Sequence, residues 1–532
     1  MTDQLSFSGI HLAPLFLFNL ISLACSISTL VFLLKKEILV LARLCFVFAF
    51  LLVVFFQAPS VIFANQLEQH VSNHWQYSIS LNLLILLLFV YGYFTLDLGP
   101  SKKDLASHPL STLRAPSKFF YVFTFGLAAL LLSVYYSDVP WKCTGLFAFF
   151  FDPNATLLAR EYCAKIAPSS WSGYSIGTYI ASIAPLLSFL LVVRLISSLI
   201  RRRYYQVMPI VALLGIIIAT IMVAGSKGSL VPMALFLAVS FYICYWGRGA
   251  IRSLATIFGV LAILMLFLAS FEVIREGGAY KSVEPYNLAV CARDAGHCPQ
   301  AKQLLVSLLE RDSSLGLSRS YVLKSIRHLE CVCSNQSECE PPPIATSAQP
   351  RLASLANERV AAYSNGIFNR IFVVPFQVST WHYSYAATES FPVREALPFA
   401  KKLYGKSINM PELVYQKYGV VYSNGDKTIT STAPTTFAIA YPAYFGPVGF
   451  LASFILVILL DFLYVALAAK GNRFALATLC GMVSVSALNL ISSDFLTSLI
   501  SHGILANILL LKVASLSLGL KSYDSNLPDR AR

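Results

Sequence analysis

The run LAPLFLFNLISLACSISTLVFLL occupies residues 12–34 and contains no charged side chain. Because an α-helix rises about 1.5 Å per residue, about 20 apolar residues cross the roughly 30 Å of hydrocarbon in a bilayer. Similar apolar runs recur along the chain and predict an all-α polytopic membrane protein. They give eleven predicted spans, at residues 12–34, 38–63, 77–97, 118–136, 175–200, 207–225, 229–246, 253–272, 446–468, 474–491 and 497–519.

The composition supports a membrane protein. Of the 532 residues, 57% are hydrophobic and only 12% are charged, against about 25% charged in a soluble domain. The chain lacks the alternating pattern of outer-membrane strands, so helices are the predicted class. The formal charge of +14 is dispersed among short loops and one long insert, and we expect no nucleic-acid partner. We interpret residues 12–34 as a first span, since no basic residue precedes them as in a cleaved signal peptide.

The basic residues of the short loops predict the orientation of the spans. Lys and Arg concentrate in alternate connections, and such connections are normally cytoplasmic. With eleven spans, the N-terminus is then expected outside and the C-terminal tail in the cytoplasm. The basic residues concerned are Lys35, Lys36, Lys102, Lys103, Arg114, Arg201, Arg202, Arg203, Arg248, Arg252, Lys470 and Arg473.

This orientation predicts four domains in chain order. Residues 1–272 carry eight spans, and residues 273–432 form a large, mostly helical exterior loop. Residues 433–520 hold an interfacial segment and the last three spans, and residues 521–532 form the cytoplasmic tail.

Within the large exterior loop, the pattern changes several times. Residues 301–329 have helical periodicity and predict an amphipathic hairpin. The proline-rich residues 340–350 predict an extended link, because proline does not continue a helix. Residues 351–362 predict a helix that leads into 369–389. The segment 433–449, with three prolines and two glycines, predicts a short helix at the membrane edge.

Seven cysteines fall in the two large exterior loops, as expected for disulfides in an oxidising compartment. Cys143 and Cys163 are a plausible pair, and the other five allow several pairings that spacing alone does not resolve. A zinc site on those five is the alternative, but their spacing matches no standard ligand pattern, and we predict no metal. The seven are Cys143, Cys163, Cys291, Cys298, Cys331, Cys333 and Cys339.

The insert contains one stretch with chemically useful side chains, NRIFVVPFQVSTWHYSYAATE at residues 369–389. Arg370 precedes a proline-broken aromatic run that carries an imidazole and a carboxylate. Arginine offers paired donors that fit phosphate oxygens. No Asp-x-Asp, nucleotide-binding glycine fingerprint or His-Glu-x-x-His occurs in the chain. We therefore interpret the stretch as part of a site for an anionic, lipid-borne sugar. The alternative is an interfacial arginine whose head group reaches water.

Three sets of residues are candidates for such a site. The candidate bases are His382, Glu389 and Asp494, with imidazole needing the least adjustment of its pKa near neutral pH. The candidate diphosphate ligands are Arg370, Arg275, Lys227, Arg359 and Arg394. Aromatic rings that could stack on sugars are those of Trp381, Tyr383, Tyr385, Tyr441 and Tyr444. The alternatives are a structural histidine, solvated arginines, a polar hairpin tip at Lys227 and aromatic side chains that suit the headgroup layer.

Three short motifs, in this order, resemble those of the Wzy oligosaccharide repeat-unit polymerases. They are Gly-Ser-Lys-Gly-Ser at 225–229, Asn-Arg-Ile-Phe-Val-Val-Pro at 369–375 and Tyr-Pro-Ala-Tyr-Phe-Gly-Pro-Val-Gly at 441–449. The resemblance implies a bacterial inner-membrane glycosyltransferase of the GT-C type that needs no metal or other cofactor. It would work on the periplasmic face, moving a growing glycan from undecaprenyl diphosphate onto a carrier-linked repeat unit.

The same resemblance implies roles for particular residues and partners. Loop arginines of the family map best to Arg370 and Arg275, whereas Lys227 stands where relatives often have Arg. The partners would be the undecaprenyl-diphosphate-linked donor and acceptor, membrane lipid and a separate chain-length regulator.

Two alternatives stay open. The related O-antigen ligases, which attach finished glycan to lipid A core, usually place a His ten residues before the Gly-x-x-Gly that opens a late span. Here that position is Thr436, which favours a polymerase. A flippase or other transporter of the same lipid-linked sugar would have charged or broken helices and repeated halves. Intramembrane charge is sparse here, with Arg43, Arg194, Asp461 and Lys512 as the main examples.

We predict that Arg370→Ala abolishes polymer while the protein still inserts into the membrane, because the diphosphate would lose its bidentate ligand. Polymer length on a gel, with the protein level in the membrane fraction as control, checks this. Full-length polymer from the variant would contradict the assignment of Arg370.

Overall fold

A computed structural model describes most of the chain. The described residues are 5–36, 38–62, 74–96, 118–151, 155–167, 169–200, 202–223, 230–244, 286–310, 319–336, 338–342, 374–396, 408–418, 435–467 and 473–524.

The regular structure in this part of the chain is helical, with no strand. Two long helices each contain a π-helical turn, at Val53–Gln57 and at Tyr179–Ile183. The helices are α1 (Leu5–Lys36), α2 (Leu44–Leu52), α3 (Ala58–Ile62), α4 (His74–Phe94), α5 (Lys118–Asp138), α6 (Gly145–Phe151), α7 (Thr156–Lys165), α8 (Ser170–Thr178), α9 (Ala184–Ile200), α10 (Val207–Ile221), α11 (Leu230–Cys244), α12 (Leu288–Asp294), α13 (Cys298–Glu310), α14 (Arg319–Cys333), α15 (Val374–Thr388), α16 (Met410–Tyr418), α17 (Phe437–Leu467), α18 (Arg473–Ser492), α19 (Phe495–Ile500) and α20 (Ile504–Asp524).

Nine helical segments of the described chain are long and apolar enough to cross a membrane. They coincide with nine of the eleven predicted spans, which confirms the class of all-α polytopic membrane protein. The predicted span at 229–246 corresponds to α11, which has 15 residues. The predicted span at 253–272 lies outside the described residues, so the total of eleven stays a prediction.

Contacts within the chain define two compact units. The first comprises Met1–Arg114 and Leu352–Leu499, and the second comprises Ala115–Arg351 and Ile500–Arg532. The large insert is therefore shared between the units, with its break near residue 351. The described part of the first unit holds α1 to α4 and α15 to α19, apart from the last residue of α19.

A buried ion pair lies at the centre of the first unit. Arg43, just before α2, is 2% exposed, and Asp461 on α17 is fully buried. The guanidinium Nη2 lies 2.6 Å from Asp461 Oδ2 and 2.6 Å from Thr95 Oγ1. The backbone amide of Cys45 donates to Asp461 Oδ1 at 3.2 Å. The pair thus joins α2, α17 and the end of α4, with both charges hydrogen-bonded as burial requires.

A second polar network joins α1, α4 and the π-helical turn of the same unit. Asn19 donates to Ser78 at 3.2 Å, and Asn82 donates to the Asn19 side chain at 3.1 Å. Gln57 donates to Asn82 at 2.6 Å. The three amide side chains are buried. Hydrogen bonds between them lower the free-energy cost of burying polar groups. The network thus gives three apolar segments specific polar contacts with one another.

The second unit contains a disulfide-linked core formed by residues of the two loops that the sequence predicts to be exterior. Disulfides join Cys143 to Cys291, Cys298 to Cys333 and Cys331 to Cys339. The predicted amphipathic hairpin is confirmed as α13 and α14, which pack together. Lys302 and Glu330 form an ion pair across them at 2.7 Å. The apolar core beneath includes Leu158, Tyr162, Tyr286, Leu305 and Tyr321.

The predicted pairing of Cys143 with Cys163 is wrong. Cys143 is bonded to Cys291 on α12, with Cα atoms 5.7 Å apart. Cys163 is a buried free thiol whose Sγ donates to the Cys143 carbonyl at 3.1 Å. Helix α7 thus places Cys163 against the backbone of residue 143, while α12 supplies the bonding partner. The zinc alternative is also contradicted, because all five other loop cysteines form disulfides in this structure.

We predict that non-reducing peptide mapping finds Cys143 linked to Cys291, and that Cys163→Ser leaves this linkage intact. Cys163 is only 3% exposed, so an alkylating reagent should label it only after denaturation. The matched variant Cys143→Ser should instead release Cys291 as a new thiol. A peptide containing Cys143 joined to Cys163 would contradict the structure.

We predict that Asp461→Leu destabilises the protein by roughly 3–5 kcal/mol, because it leaves the Arg43 guanidinium buried without a counter-ion. The double variant Arg43→Met and Asp461→Leu should recover most of this loss, since it removes both charges. Thermal unfolding of detergent-purified protein measures the difference. Equal stability of the single variant and the wild type would contradict a structural role for the pair.

Candidate functional site

The candidates of the first unit lie on three neighbouring segments: α15, the first turns of α17 and the turn before α19. Helix α15 begins at Val374, where Pro375 is tolerated because the first turn of a helix needs no intrahelical donor. It packs against α4, α16 and α17. This packing places most of the predicted bases and aromatic rings in one region of the unit.

His382 and Tyr444 form the central contact of this region. The His382 ring is 1% exposed, and its Nδ1 shares a hydrogen bond with the Tyr444 hydroxyl. Tyr444 also packs edge-on against Phe391, with ring centroids 5.6 Å apart. The structure therefore brings together one predicted base and one predicted sugar-binding ring, and Tyr444 is the more exposed of the two.

Gly446 gives Tyr444 its position. Its φ of 57° and ψ of −137° interrupt α17, in a region of backbone conformation that essentially only glycine enters without strain. The residues from Phe437 to Phe445 consequently form a short helix of their own, as the prolines and glycines predicted. This short helix presents Tyr441 and Tyr444 one turn apart on the same side.

An imidazole and a phenol in contact can move a proton. The phenol can accept a proton from a ligand hydroxyl while giving its own to the ring nitrogen, so a buried imidazole can act on a ligand that it does not touch. His382 Nδ1 must be unprotonated for this step. The contact between His382 and Tyr444 is therefore a candidate base with a hydroxyl relay.

Glu389 pairs with Lys417, a residue that no sequence motif points to. The Lys417 Nζ lies 2.5 Å from Glu389 Oε1 and 2.7 Å from Thr388 Oγ1. The ammonium also lies over the rings of Tyr385, at 5.7 Å, and Tyr418, at 5.3 Å. The hydrogen bond to Glu389 raises the pKa of Lys417. The ion pair thus places an ammonium beside the half-buried Tyr385.

Asp494 has a structural role in this structure. Its Oδ1 accepts hydrogen bonds from the amides of Leu496, at 3.0 Å, and Thr497, at 3.1 Å. The Thr497 hydroxyl donates to Oδ2. A carboxylate that accepts the first free amides is a preferred helix N-cap. Asp494 caps α19 in this way.

The five predicted sugar-binding rings divide into two groups. Trp381 is 4% exposed and stacks on Tyr418 with centroids 6.2 Å apart, and Tyr383 is 5% exposed and meets Tyr77 edge-on at 5.7 Å. Burial also raises the pKa of the Tyr383 phenol. Both rings belong to the packing of α15, and little of either face is left for a ligand. Tyr385, Tyr441 and Tyr444 are half-buried and keep part of their surface accessible.

The predicted diphosphate ligands are not brought together by the described structure. Arg370, Arg275, Lys227 and Arg359 lie outside the described residues. Arg394 lies in the short turn Val393–Ala396, but its side chain is not among those described. These five assignments stay predictions.

Thr436, the position that carries a histidine in the ligases, is fully buried here. Its hydroxyl donates to the Leu490 carbonyl at 2.7 Å. The side chain therefore ties the start of α17 to the end of α18. In the described structure, the contact of the Thr436 hydroxyl is therefore a structural one.

One motif that resembles a catalytic pattern lies outside the candidate site. Gly173-Tyr-Ser-Ile-Gly177 matches the Gly-x-Ser-x-Gly pattern of hydrolase nucleophiles. That pattern has chemical meaning on a strained turn between a strand and a helix. Here it lies within α8, where Ser175 is 6% exposed and donates to the Ser172 carbonyl at 2.8 Å. The context argues against a nucleophile.

Comparison with known proteins leaves the site without a precedent. No protein-family model, curated protein or solved structure matches this chain. Among the side chains that the structure describes, no group of three or more His, Cys, Asp and Glu could hold a metal ion. The chemistry of the site therefore has to be argued from the residues themselves.

Proposed function

We propose that this chain is a membrane-embedded glycosyltransferase that acts on lipid-linked glycans. More particularly, it is a repeat-unit polymerase that joins undecaprenyl-diphosphate-linked oligosaccharides into a surface polysaccharide, such as an O-antigen or capsule. The single observation that carries this proposal is the contact between His382 and Tyr444, which supplies a base where the sequence motifs of the polymerases occur. The nine helices of the described chain that are long and apolar enough to cross a membrane suit a substrate whose carrier lies in the bilayer.

The reaction needs a base and a way to hold the leaving group. The oxygen of an acceptor sugar hydroxyl attacks the anomeric carbon of the donor glycan. The bond from that carbon to the diphosphate oxygen breaks, and undecaprenyl diphosphate leaves with the electron pair. The hydroxyl proton passes to the Tyr444 oxygen as the Tyr444 proton passes to His382 Nδ1. Arg370 and Arg275 hold the diphosphate in this proposal, because arginine stays charged and offers paired donors.

The proposed location is the bacterial inner membrane, with the N-terminus in the periplasm and the C-terminus in the cytoplasm. The alternation of basic short loops supports this orientation. The three disulfides of the second unit also support an oxidising compartment for the two large loops. Membrane lipid and a chain-length regulator complete the proposed partners.

A second candidate is transport of the same lipid-linked glycan across the membrane. Transporters often contain interrupted helices and buried charges. Gly446 interrupts α17, and the buried Arg43 and Asp461 form an ion pair among the helices of the first unit. Those charges are fully engaged with each other and with Thr95, so the polymerase is the better-supported function.

We predict that Tyr444→Phe lowers polymer formation by about 100-fold or more, the order of effect for general acid–base catalysis. The variant keeps the ring that packs against Phe391 and removes only the hydroxyl. The measurement is elongation of carrier-linked repeats by purified protein in liposomes. Tyr464→Phe is a matched control on the same helix, because it removes a hydroxyl that bonds to Ser486 at 2.6 Å away from the site.

Several outcomes separate the candidates. Wild-type activity of Tyr444→Phe, or an equal loss in Tyr464→Phe, would contradict the relay. Liposomes that move the lipid-linked glycan without elongating it would identify a transporter. In cells, a lost polymerase should leave single capped repeat units on the carrier, whereas a lost ligase should leave long carrier-linked polymer. The carrier-linked glycans extracted from a deletion strain show which occurs.

A further inference from the structure

A cavity of about 890 Å³ lies within the second unit, outside the site described above. One wall comes from the end of α5 and the segment that follows it, and the other from α12 and the turn after it. Cys143 and Cys291 both line the cavity, so their disulfide holds the two walls together. Its volume falls in the range of roughly 300–1,000 Å³ that is usual for small-molecule sites.

A local motif builds the second wall. Helix α12 ends in a left-handed turn in which Gly296 has a φ of 70°. The amide of Gly296 donates to the Arg293 carbonyl at 3.0 Å, and that of His297 donates to the Ala292 carbonyl at 2.7 Å. This pattern is a Schellman ending, which glycine favours. It carries His297 back over the helix end and into the lining of the cavity.

The first wall offers a flat aromatic surface. Trp141 lines the cavity and is 44% exposed. Its ring meets Phe147 at an interplanar angle of 87° with centroids 6.4 Å apart, an edge contact that leaves most of the indole uncovered by that partner. The hydrophobic face of a sugar ring stacks on such a surface, and tryptophan provides a large rigid contact area at little entropic cost.

The charges around Trp141 do not suit a diphosphate. Asp138, Asp294 and Lys142 are the charged side chains among the described residues that line the cavity, so negative charge exceeds positive. Asp294 is additionally paired with Arg293 at 2.9 Å. Sugar hydroxyls both donate and accept hydrogen bonds, and so they can satisfy two carboxylates and an ammonium at once. An acidic sugar would be repelled, whereas an amino group would be favoured.

Ser169 extends the hydrogen-bonding surface of the lining, and Tyr162, which is not in the lining, contacts two lining residues. Ser169 lines the cavity beside Asp138, and its amide donates to Asp138 Oδ2 at 3.2 Å. The Tyr162 hydroxyl donates to the Cys291 carbonyl at 3.1 Å and lies 3.5 Å from His297 Nδ1. Burial raises the pKa of Tyr162 to about 12.

We propose that this cavity binds a short neutral or amino-bearing glycan segment, with Trp141 stacking on a sugar ring and Asp138, Asp294 and His297 bonding its hydroxyl or amino groups. The site is a binding site only, with no bond made or broken. It goes beyond the proposed function and rests on it only for the biological source of the glycan.

The test uses the full-length protein in lipid nanodiscs on an array of neutral, amino-bearing and acidic oligosaccharides. We expect saturable binding to members of the first two classes and none to the acidic class. Trp141→Ala should weaken this binding by about tenfold or more, as truncating a central aromatic contact does. Trp171→Ala is the matched control, because Trp171 is 79% exposed in the same unit and is not in the lining. Its binding should equal that of the wild type.

A second variant covers the case in which Trp141→Ala fails to fold. Asp294 is exposed, with its side chain 58% accessible, so Asp294→Asn should fold and should reduce binding of amino-bearing members most. No saturable binding, a preference for acidic members, or binding unchanged in both variants would overturn the proposal. Binding on the array does not require polymer formation. A negative array result therefore contradicts only the glycan-binding cavity, whereas absent elongation in liposomes contradicts only the polymerase proposal.

Discussion

The contact between Arg43 and Asp461 joins segments that are 418 residues apart in the chain. Neither charge could be placed in an apolar interior alone, since an isolated buried ion costs far more than a folded protein can offset. Each buried charge is therefore stable only when the oppositely charged side chain and the hydrogen-bond partners are in place. This requirement fixes α17 against α2 and the end of α4. Asp461 lies beyond the break at Gly446, so the charge pair anchors the long part of α17, to whose start the short helix with Tyr441 and Tyr444 is joined.

The site itself combines a rigid base with more adaptable surroundings. His382 is enclosed by protein, and Tyr444, whose hydroxyl contacts the His382 ring, is half-buried. Lys417 and Glu389 form a half-exposed pair next to Tyr385, where an ion pair contributes little to stability. A pair that contributes little to folding is free to exchange partners with a charged ligand. The buried contact between His382 and Tyr444 thus fixes the orientation of the two side chains. The exposed pair of Lys417 and Glu389 supplies charge.

The sequence predicted the features that depend on local composition. Long apolar runs identified the described spans, and Gly446 with its flanking prolines marked the break in α17. The amphipathic pattern of 301–329 identified the hairpin. Contacts between distant residues were not readable in the same way. His382 meets Tyr444 across 62 residues, and Lys417 has no pattern that points to Glu389. Asp494 was selected for its charge, but its use as a helix cap depends on where α19 begins.

The cysteines show why spacing misled. Cys143 lies 20 residues from Cys163 and 148 residues from Cys291, and short loops close more readily than long ones. In an oxidising compartment, a growing chain would expose Cys163 long before Cys291. The nearest thiol is thus a kinetic competitor for the native bond, and any early pairing must be exchanged before the second unit closes. Correct assembly of this loop core would therefore depend on thiol exchange during biogenesis, and the buried Cys163 is the thiol that such exchange leaves behind.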